Sequence, residues 1–556
     1  MNEVPSSMVV GEDTSVRQAL RLIEDNYEKT LICVDDSGAF VGVVVDGDVR
    51  RGLLKGYTLD DSVMKVVNRK ALSVNEFMDF VRIEELLKNV RYKVIPVVDS
   101  RKRIKGYYSK KRLLSQKFDI RERRVTIVGM GYVGMTLGCV LAESGFVVKG
   151  FDVHRGLIDT INNKKMPFYE YGLQNYLDDY VGRNLRVTDS IESAVGDVYI
   201  ITVGTPFDKK TMRPEIGHII RAVRMLCGVI KKDDVVVLRS TVPVGCSRNT
   251  VIRMIQEERG LTCGKDYSLA FAPERTAEGV ALQELKKNPQ IIGAFDRRSF
   301  EISAQIFNTF TRTIIEVTSL EAAELCKLID NTFRDHLFSF SNMLVPLTEK
   351  LGLDIREIID AVNFGYPRNR IASPSPGVGG PCLVKDPYLL KSVFDGVGID
   401  APLIRAVREI NESGHTFLCD KLVAQLRKLN KDLAGSRIAL VGIAFKGEPE
   451  TSDFRDSTSL WFLELLKGKT DVVVYDPVIE PEKLQVLGVP VVDVEAAFLQ
   501  TDAVVILNNH RSYNNWDIHS LTSRMNKPAV IIDSWNIFGV TTFREVKGVV
   551  YVGYGR

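Results

Sequence analysis

The amino-acid sequence predicts an α/β protein with two doubly wound domains, joined by a helical spacer and preceded by a smaller α+β module. Three observations support this prediction. Apolar β-branched runs alternate with helical stretches in two separate regions, the region between them is mainly helical, and the start of the chain contains a weak internal repeat. We therefore expect four domains, at residues 1–118, 119–318, 319–430 and 431–556.

The composition is that of a globular, soluble protein that is too long for a single core. The chain has 556 residues, of which 45% are apolar and 26% charged, and its net charge of +3 argues against a nucleic-acid partner. The N-terminus lacks a basic region followed by an apolar stretch, and no apolar window of about 18 residues occurs, so we expect no membrane partner and a cytoplasmic location. The eight cysteines form no C-x-x-C pair or His/Cys cluster, so neither a disulfide framework nor a metal site is expected.

The first module contains two similar halves. Each half has a helix-like stretch followed by a strand, a turn and a second strand, with the strands at 31–34 and 40–45 and then at 94–99 and 104–108. This arrangement resembles a tandem CBS (Bateman) module, a family that often binds adenine nucleotides and regulates an attached enzyme.

The usual ribose signature of that family is only partly present. It consists of a glycine, a Ser or Thr three residues later and an aspartate six residues later. The first half has Gly42, Val45 and Asp48 at these positions, and the second half has Gly106, Ser109 and Arg112. Because each half lacks one polar member, two interpretations stay open: an adenine-nucleotide site, or a docking or oligomerisation module.

Buried-strand patterns define the two doubly wound domains, and longer helical patterns define the spacer. The first domain has such runs at 125–128, 198–203, 235–238 and 291–293, the spacer has helical runs at 321–351 and 401–429, and the second domain has strand runs at 437–442, 472–477, 503–507 and 529–533. Continuous apolar strands that alternate with helices are typical of parallel sheets covered by helices on both faces.

A glycine fingerprint follows the first of these strands. In Gly129-Met130-Gly131-Tyr132-Val133-Gly134, the absent side chains permit a tight turn, close approach of a pyrophosphate to the backbone, and close packing of the helix on the sheet. Asp152 closes the next strand, where a carboxylate accepts the ribose 2'-hydroxyl and repels a 2'-phosphate. The pattern favours an NAD-binding, Rossmann-like domain over a turn that serves packing alone, with Tyr132 and Val133 among the cofactor contacts.

A second glycine-rich run ends in a thiol. Gly377-Val378-Gly379-Gly380-Pro381-Cys382 is followed by Lys385 and Asp386, and a cysteine beside a lysine and an aspartate can hold an oxidised intermediate as a thioester. A free thiol is only a few per cent thiolate at neutral pH, so we expect a nearby cation or helix N-terminus to assist Cys382. The alternative role, a small core residue, suits Cys139 or Cys326 better.

Several further motifs occur in the order found in the UDP-glucose/GDP-mannose 6-dehydrogenase superfamily, which the chain resembles over about residues 124 to 545. Besides the cysteine loop, these motifs are Val203-Gly204-Thr205-Pro206, Ser240-Thr241-Val242-Pro243-Val244-Gly245, Ala272-Pro273-Glu274-Arg275-Thr276-Ala277-Glu278-Gly279, Lys327 with Asn331, Ala444-Phe445-Lys446-Gly447 and Ser452-Asp453-Phe454-Arg455-Asp456-Ser457. The family carries out two successive NAD-dependent oxidations at C6 of a nucleotide sugar, which give the uronic acid.

The resemblance implies roles for the catalytic residues. Cys382 attacks the aldehyde formed in the first oxidation, and the second oxidation yields a thioester. The assisting residues are Lys327 for the oxyanion on C6, Asn331 for orienting a water or the same oxygen, Asp386 as base or water organiser, Glu274 for activating the hydrolytic water, and Thr205 for holding that water. Lys327 and Asn331 are four residues apart and share one helical face, a spacing that a solvated helix stripe also shows.

The resemblance also implies binding residues and two departures from the family pattern. The nucleotide sugar contacts Glu278, Arg334, Arg368, Gly379 and Lys446, and NAD contacts Thr205, Thr241 and Arg455 in addition to the fingerprint and Asp152. Met343 follows Asn342 where the family commonly has Glu, and Trp535 stands where it often has a substrate-gripping arginine. We therefore expect an atypical sugar pocket.

The motif variants are similar to the branch of the family that acts on UDP-N-acetylhexosamines. They are Asn331-Thr332-Phe333-Arg334-Asp335, Pro273-Glu274-Arg275 and the loop from Pro376 to Gly380. We predict UDP-N-acetylglucosamine or UDP-N-acetylmannosamine as substrate, for polysaccharide biosynthesis, with UDP-glucose as the alternative.

An alternative from another class is a regulatory protein in which the CBS-like module senses a nucleotide and the dehydrogenase region no longer catalyses. The intact catalytic set favours the enzyme. The resemblance further implies at least a homodimer formed through the spacer, for which 401–429 is the expected interface element.

Overall fold

The computed structural model describes residues 4–26, 28–76, 78, 83, 86–87, 93–109, 120–208, 213–543 and 545–556. The chain divides into two compact units, Met1–Ile120 and Arg121–Arg556.

The first unit contains two small sheets with the same topology. The strands of the first sheet are β1 (Val9–Val10), β2 (Thr30–Val34) and β3 (Phe40–Val45), and those of the second are β4 (Val74–Asn75), β5 (Val94–Val98) and β6 (Ile104–Ser109). In each sheet the first pair of strands is parallel and the second is antiparallel, with a register irregularity at the equivalent place in the hairpin. The internal repeat is therefore a structural one.

Helices and turns complete this unit. Helix α1 (Val16–Asp25) begins at a capping box on Ser15 and buries Val16, Ala19 and Ile23, while helix α2 (Asp46–Leu54) follows β3 directly. Arg112 lies outside the described residues, as does most of the helical stretch expected before β5.

The second unit begins with an eight-stranded sheet in the order β16-β15-β14-β13-β10-β7-β8-β9. Its strands are β7 (Val125–Val128), β8 (Val148–Phe151), β9 (Leu185–Thr188), β10 (Val198–Ile201), β13 (Val235–Leu238), β14 (Ser268–Phe271), β15 (Gln290–Ala294) and β16 (Ile314–Val317), while β11 (Phe207–Asp208) and β12 (Arg213–Pro214) form a separate hairpin. The order reverses between β7 and β10, which is the switch point where ligands of doubly wound sheets bind. The β14–β15 pair is antiparallel, unlike the all-parallel sheet that the sequence pattern predicts.

Helices cover this sheet. They are α3 (Tyr132–Glu143), α4 (Arg155–Asn162), α5 (Leu173–Tyr180), α6 (Gly217–Cys227), α7 (Arg253–Arg259), α8 (Ala281–Lys287) and α9 (Arg297–Phe307). The central strands β7, β10, β13 and β14 are buried at every residue, which explains their continuous β-branched runs.

The spacer consists of a long helix and three partners. Helix α10 (Leu320–Leu351) has 32 residues, begins at a Ser319 cap and ends at Gly352 in the left-handed region. It is followed by α11 (Ile355–Asn363), α12 (Asp386–Gly396) and α13 (Pro402–Lys428). Because α12 and α13 both pack against α10, the cysteine loop between α11 and α12 is held against the side of the long helix.

The last region is a five-stranded parallel sheet in the order β18-β17-β19-β20-β21. Its strands are β17 (Arg437–Val441), β18 (Asp471–Tyr475), β19 (Ala503–Ile506), β20 (Ala529–Asp533) and β21 (Val549–Gly553), with helices α14 (Thr458–Leu466), α15 (Pro481–Leu484), α16 (Val494–Phe498) and α17 (Ile518–Ser523). The predicted fold class is confirmed, with two Rossmann-like sheets and a helical spacer. Within the described ranges, no helix is long and apolar enough to cross a membrane.

Candidate active site

The glycine fingerprint forms a cradle at the start of α3. Gly129 has a φ of +98°, and a Cβ on Gly134 would overlap the carbonyl oxygen of Gly129, so both glycines serve the turn and the packing of the helix. A Cβ on Gly131, in contrast, would meet nothing within 4 Å. The space beside Gly131, at the N-terminus of α3, is therefore open to a pyrophosphate, and these residues fit NAD.

Asp152 links this cradle to the end of β8. Its carboxylate is largely buried and accepts hydrogen bonds from the backbone N–H groups of Met130, at 2.7 Å, and His154, at 3.0 Å. These two bonds leave acceptor capacity for a ribose hydroxyl. Asp152 therefore holds the backbone of the glycine loop in addition to its expected role of binding the ribose.

The other predicted NAD contacts are already tied to protein groups. The Tyr132 hydroxyl donates to Glu170 and accepts from the backbone N–H of Gly279 at 2.9 Å. Arg455 forms a bidentate pair with Asp453, and the carbonyl of Thr241 accepts the Thr205 hydroxyl at 2.6 Å. Sequence reasoning missed the buried Glu170, because a single glutamate in an aromatic stretch carries no signal.

The cysteine loop is squeezed between α13 and the segment that precedes α14. Gly377 has a φ of +107°, and a Cβ there would overlap the carbonyl oxygen of Asn411 on α13. A Cβ on Gly379 would come within 2.5 Å of the carbonyl oxygen of Asp456. Gly379, predicted to contact substrate, thus has a packing role in the loop that presents Cys382.

Helix α12 starts four residues after the thiol, at Asp386, whose backbone N–H donates to the carbonyl of Cys382 at 2.9 Å. Cys382 is accessible to solvent, but protein surrounds its sulfur closely enough that burial raises the thiol pKa, and Asp386 raises the pKa further. Lys327 and Lys385 lower the pKa without reversing this shift. Two cations therefore act on the thiol in the expected direction, but burial and Asp386 outweigh them and the net shift of its pKa is upward.

Polar side chains beside the thiol form a hydrogen-bonded chain. Lys385 donates to Asp386 at 2.7 Å and to the Thr205 hydroxyl at 3.4 Å. The Asn331 amide donates to the other oxygen of Asp386 and accepts from Arg334. The structure thus joins Asn331 directly to Asp386, and Arg334 to Asp386 through Asn331. It joins Thr205 to Asp386 through Lys385, a residue to which the family resemblance assigned no role.

Glu274 lies at the carboxyl end of β14 and is fully engaged. Arg239 donates to one of its oxygens through two nitrogens, and the backbone N–H groups of Arg275 and Thr276 donate to the other at 2.8 and 2.9 Å. Burial acts to raise the pKa of Glu274, but Arg239 and Lys327 outweigh it, and the net shift is downward. Arg239 was not identified from the sequence, because nothing near this arginine in the sequence indicates that it pairs with Glu274.

The pKa of Glu278 is shifted in the opposite direction to that of Glu274. Burial and the nearby Asp453 carboxylate raise its pKa to about 7, although its side chain accepts the Thr451 hydroxyl at 2.9 Å. Its carbonyl accepts Lys446 at 2.7 Å, and burial lowers the pKa of that lysine. Glu278 also raises the pKa of the Cys382 thiol, by less than burial and Asp386 do.

Arg368 and the two departures from the family pattern, Met343 and Trp535, lie in different surroundings. Arg368 lies exposed on the loop after α11, with its guanidinium 5.0 Å from the centre of the Tyr366 ring. Among the residues that the structure describes, no ion pair or hydrogen bond joins it to the polar side chains beside Cys382. Trp535 donates to the carbonyl of Leu507 at 2.9 Å, and Met343 is 49% exposed on α10. The structure thus does not bring Arg368 to the thiol within the chain.

Comparison with known proteins identifies the domains. Residues 123–311, 321–413 and 439–540 match the NAD binding, central and UDP binding domains of the UDP-glucose/GDP-mannose dehydrogenase family, and residues 2–55 match a CBS domain. The chain is 32% identical to the UDP-N-acetyl-D-mannosamine dehydrogenase of Pyrococcus horikoshii, with 78% of this chain and 99% of the relative covered. It is 31% identical to the NDP-N-acetyl-D-galactosaminuronic acid dehydrogenase of Ralstonia nicotianae, with 76% and 97% covered.

A solved structure agrees with these matches. The structure of a UDP-D-ManNAc dehydrogenase from Pyrococcus horikoshii superimposes with a TM-score of 0.70 at 31% identity, and the match covers 78% of this chain and 99% of that one. The chain therefore belongs to the UDP-glucose/GDP-mannose dehydrogenase family, as an NAD-dependent nucleotide-sugar dehydrogenase with an N-terminal CBS domain.

Proposed function

We propose that this enzyme oxidises C6 of a UDP-N-acetylhexosamine to the uronic acid through a covalent intermediate on Cys382. The proposed substrate is UDP-N-acetylmannosamine or UDP-N-acetylglucosamine. The observation that carries the proposal is the position of this accessible thiol, in the loop that leads into α12, where Lys327, Lys385 and Asp386 act on its pKa. When bound, NAD accepts a hydride from C6 in each of two oxidations.

In the first oxidation, the C6 alcohol loses a hydride and its hydroxyl proton and becomes the aldehyde. The Asp386 carboxylate receives this proton, and the Asn331 amide orients that carboxylate by donating a hydrogen bond to it. Lys327, on the same face of α10 as Asn331, stabilises the negative charge that develops on the C6 oxygen.

In the second oxidation, the Cys382 sulfur bonds to the aldehyde carbon, and the thiol proton passes to the former carbonyl oxygen to give a thiohemiacetal. The raised thiol pKa means that this proton is present at rest and moves during the addition. The thiohemiacetal then loses a hydride from C6 and its hydroxyl proton, which leaves a thioester.

Water then cleaves the C–S bond, releases the carboxylate and restores the thiol. Glu274 was the expected base, but its lowered pKa and its four hydrogen bonds disfavour proton transfer to it. Glu278, with a pKa of about 7, is better matched to the task. We assign water activation to Glu278 and the positioning of the local backbone to Glu274.

The choice of substrate follows from the relatives, which include dehydrogenases named for UDP-N-acetyl-D-mannosamine and for NDP-N-acetyl-D-galactosaminuronic acid. NADH formation should be compared with purified UDP-N-acetylmannosamine, UDP-N-acetylglucosamine, UDP-N-acetylgalactosamine and UDP-glucose. Turnover of UDP-glucose alone would reverse the assignment. In the same assay, Cys382→Ala should stop after one NADH per sugar, and an acyl adduct on Cys382 should be detectable by mass spectrometry in the wild type.

We further propose a homodimer formed through α10. Most apolar residues of the expected element 401–429 lie inside the chain, since Ile404, Val407, Leu418, Leu422 and Leu426 of α13 are buried and Leu403 is exposed. Helix α10 instead carries a stripe of large exposed apolar side chains at helical spacing, Ile329, Phe333, Phe340, Met343, Leu347 and Leu351. A stripe of this extent is typical of a surface that a partner covers.

For the CBS module, the contacts favour the docking or oligomerisation alternative over an adenine-nucleotide site. Asp48 already accepts the backbone N–H of Val45, at 3.0 Å, and pairs with Arg51, while Ser109 donates to the buried Glu28. Calorimetric titration of the full chain with ATP, ADP and AMP tests this interpretation, since saturable binding outside the NAD site would restore the nucleotide alternative. The cytoplasmic location stays a prediction from the sequence.

A further inference from the structure

A fully buried polar network lies behind the cysteine loop, between α10 and α13. Asp335 on α10 and Arg408 and Asn411 on α13 are each 0% exposed. One carboxylate oxygen of Asp335 accepts from Arg408 at 2.8 Å and from the Asn411 amide at 2.7 Å. The backbone carbonyl of Asp335 accepts the same amide at 3.0 Å, so the two helices are joined at one point.

This network holds the loop by its backbone at three places. Arg408 donates to the carbonyl of Leu383, the residue bonded to Cys382, at 3.1 Å. The carbonyl of Asn411 accepts the backbone N–H of Val378 at 3.2 Å. At the start of the loop, Asn342 accepts the backbone N–H of Ser375 at 2.8 Å and donates to the Asn411 side chain at 2.9 Å.

Arg408 also reaches the helix that carries Asp386. Its remaining nitrogens donate to Glu412 at 3.2 and 3.0 Å, and Glu412 accepts the hydroxyl of Tyr388, on the first turn of α12, at 3.1 Å. A planar guanidinium with fixed donor directions is suited to this task, because it binds several acceptors at defined angles. The Arg408 guanidinium thus links the backbone of Leu383 to α12, through Glu412 and Tyr388.

Stability alone does not account for this arrangement. Burying an ion pair requires the desolvation of both charges, and well-packed apolar residues of similar volume are often equally stabilising. The second carboxylate oxygen of Asp335 is buried without a hydrogen-bond partner in the part of the chain that the structure describes, which adds to this unfavourable term. The directional contacts, in contrast, restrict where the loop can lie.

We infer that Arg408, oriented by Asp335 and Asn411, is a positioning residue that sets the Cys382 sulfur against C6 for the second oxidation. This role depends on the covalent mechanism proposed above. The first oxidation transfers a hydride from the alcohol without involving the sulfur, and Arg408 reaches the base of that step only indirectly, through Glu412 and Tyr388. Loss of the direct bond to the Leu383 carbonyl should therefore slow the second oxidation more than the first. A displacement of about 1 Å in a reacting group slows a step about 100-fold.

The test is Arg408→Lys in single-turnover reactions with NAD and UDP-N-acetylmannosamine, or whichever sugar nucleotide the wild type oxidises, in the presence of semicarbazide to trap aldehyde. Lysine keeps the charge but carries its donors on one nitrogen, so it cannot reproduce the directions in which the three guanidinium nitrogens reach Asp335, the Leu383 carbonyl and Glu412. We expect the first hydride transfer within about threefold of the wild-type rate, the second slowed about tenfold or more, and trapped aldehyde. Arg405→Lys, an exposed position on the same helix, is the matched control and should leave both steps unchanged.

A second pair of variants separates positioning from folding. Asp335→Asn keeps the accepting oxygen and places its NH2 where the carboxylate oxygen has no partner, whereas Asp335→Ala removes both bonds to its side chain. The ratio of second to first oxidation should stay near wild type in the former variant and fall about tenfold in the latter. Equal ratios in the two, an unaffected second oxidation in Arg408→Lys, or equal slowing of both oxidations there would overturn the inference. Two NADH per sugar from Cys382→Ala would instead refute the covalent mechanism itself.

Discussion

The proposed role of Glu278 makes a quantitative prediction about pH. Its pKa is raised to about 7 by burial and by Asp453, and only the ionised carboxylate can accept a proton from water. With this pKa, about nine-tenths of Glu278 is ionised at pH 8, about half at pH 7 and about one-tenth at pH 6. Thioester hydrolysis should therefore slow about tenfold as the pH falls from 8 to 6.

The variant Glu278→Gln tests the assignment directly. Glutamine keeps the shape and an oxygen that can accept the Thr451 hydroxyl, but it removes the base. A positioned general base contributes about 100-fold or more, so hydrolysis should slow by at least that factor at pH 8. The acyl-enzyme should then accumulate at every pH in the variant, whereas in the wild type it should accumulate only at low pH.

The assay is acid quenching at intervals after mixing, followed by intact-protein mass spectrometry of the adduct on Cys382 and quantification of the uronate. Asp453→Asn is an informative companion, because loss of this neighbouring charge should move the midpoint of the profile to lower pH. A hydrolysis rate that is constant between pH 6 and 8, together with normal hydrolysis in Glu278→Gln, would refute the reasoning and return the role to Glu274.

Three further predictions concern the cofactor site, a buried ion pair and the dimer. Gly131→Ala should leave the fold intact but weaken NAD binding by about 1–3 kcal/mol, which the KM for NAD measures. Gly134→Ala should instead lower the melting temperature in thermal unfolding, because a Cβ on Gly134 would overlap the backbone of Gly129. Arg239→Met should destabilise the protein by about 3–5 kcal/mol in denaturant unfolding, because it leaves the Glu274 carboxylate buried without its ion-pair partner, and a loss under 1 kcal/mol would contradict this. Phe340→Glu should convert the proposed dimer to a monomer in light scattering, since it places a charge in the exposed apolar stripe of α10, and an unchanged mass would contradict the proposed interface.

Local patterns were sufficient to predict much of the fold and part of the site. The buried strands β7, β10 and β13 were predicted because β-branched runs reflect burial on both faces of a sheet. Cys382 stood out because a thiol in a Gly/Pro-rich loop is unsuited to core packing. Gly129 and Gly134 were recognised because the turn they form is local and permits no larger side chain.

Long-range contacts were not predictable in this way. Arg239 lies 35 positions from Glu274, and Arg408 lies 73 positions from Asp335, so nothing in the neighbourhood of either arginine indicates its partner. The pKa directions depend on the same contacts. Burial and Asp386 outweigh the lysines at the Cys382 thiol, a balance that no motif expresses.

By itself, the sequence determined the class of fold and the NAD fingerprint and singled out Cys382 as the proposed nucleophile, because turns, buried strands and reactive residue types are read from adjacent positions. Only the tertiary structure decided which carboxylate has its pKa raised to about 7, which helix face is left uncovered, and how Asp335 and Arg408 hold the cysteine loop. Those properties arise from burial and from charges on separate elements, and they exist only once the sheet and helices have brought distant residues within a few ångströms.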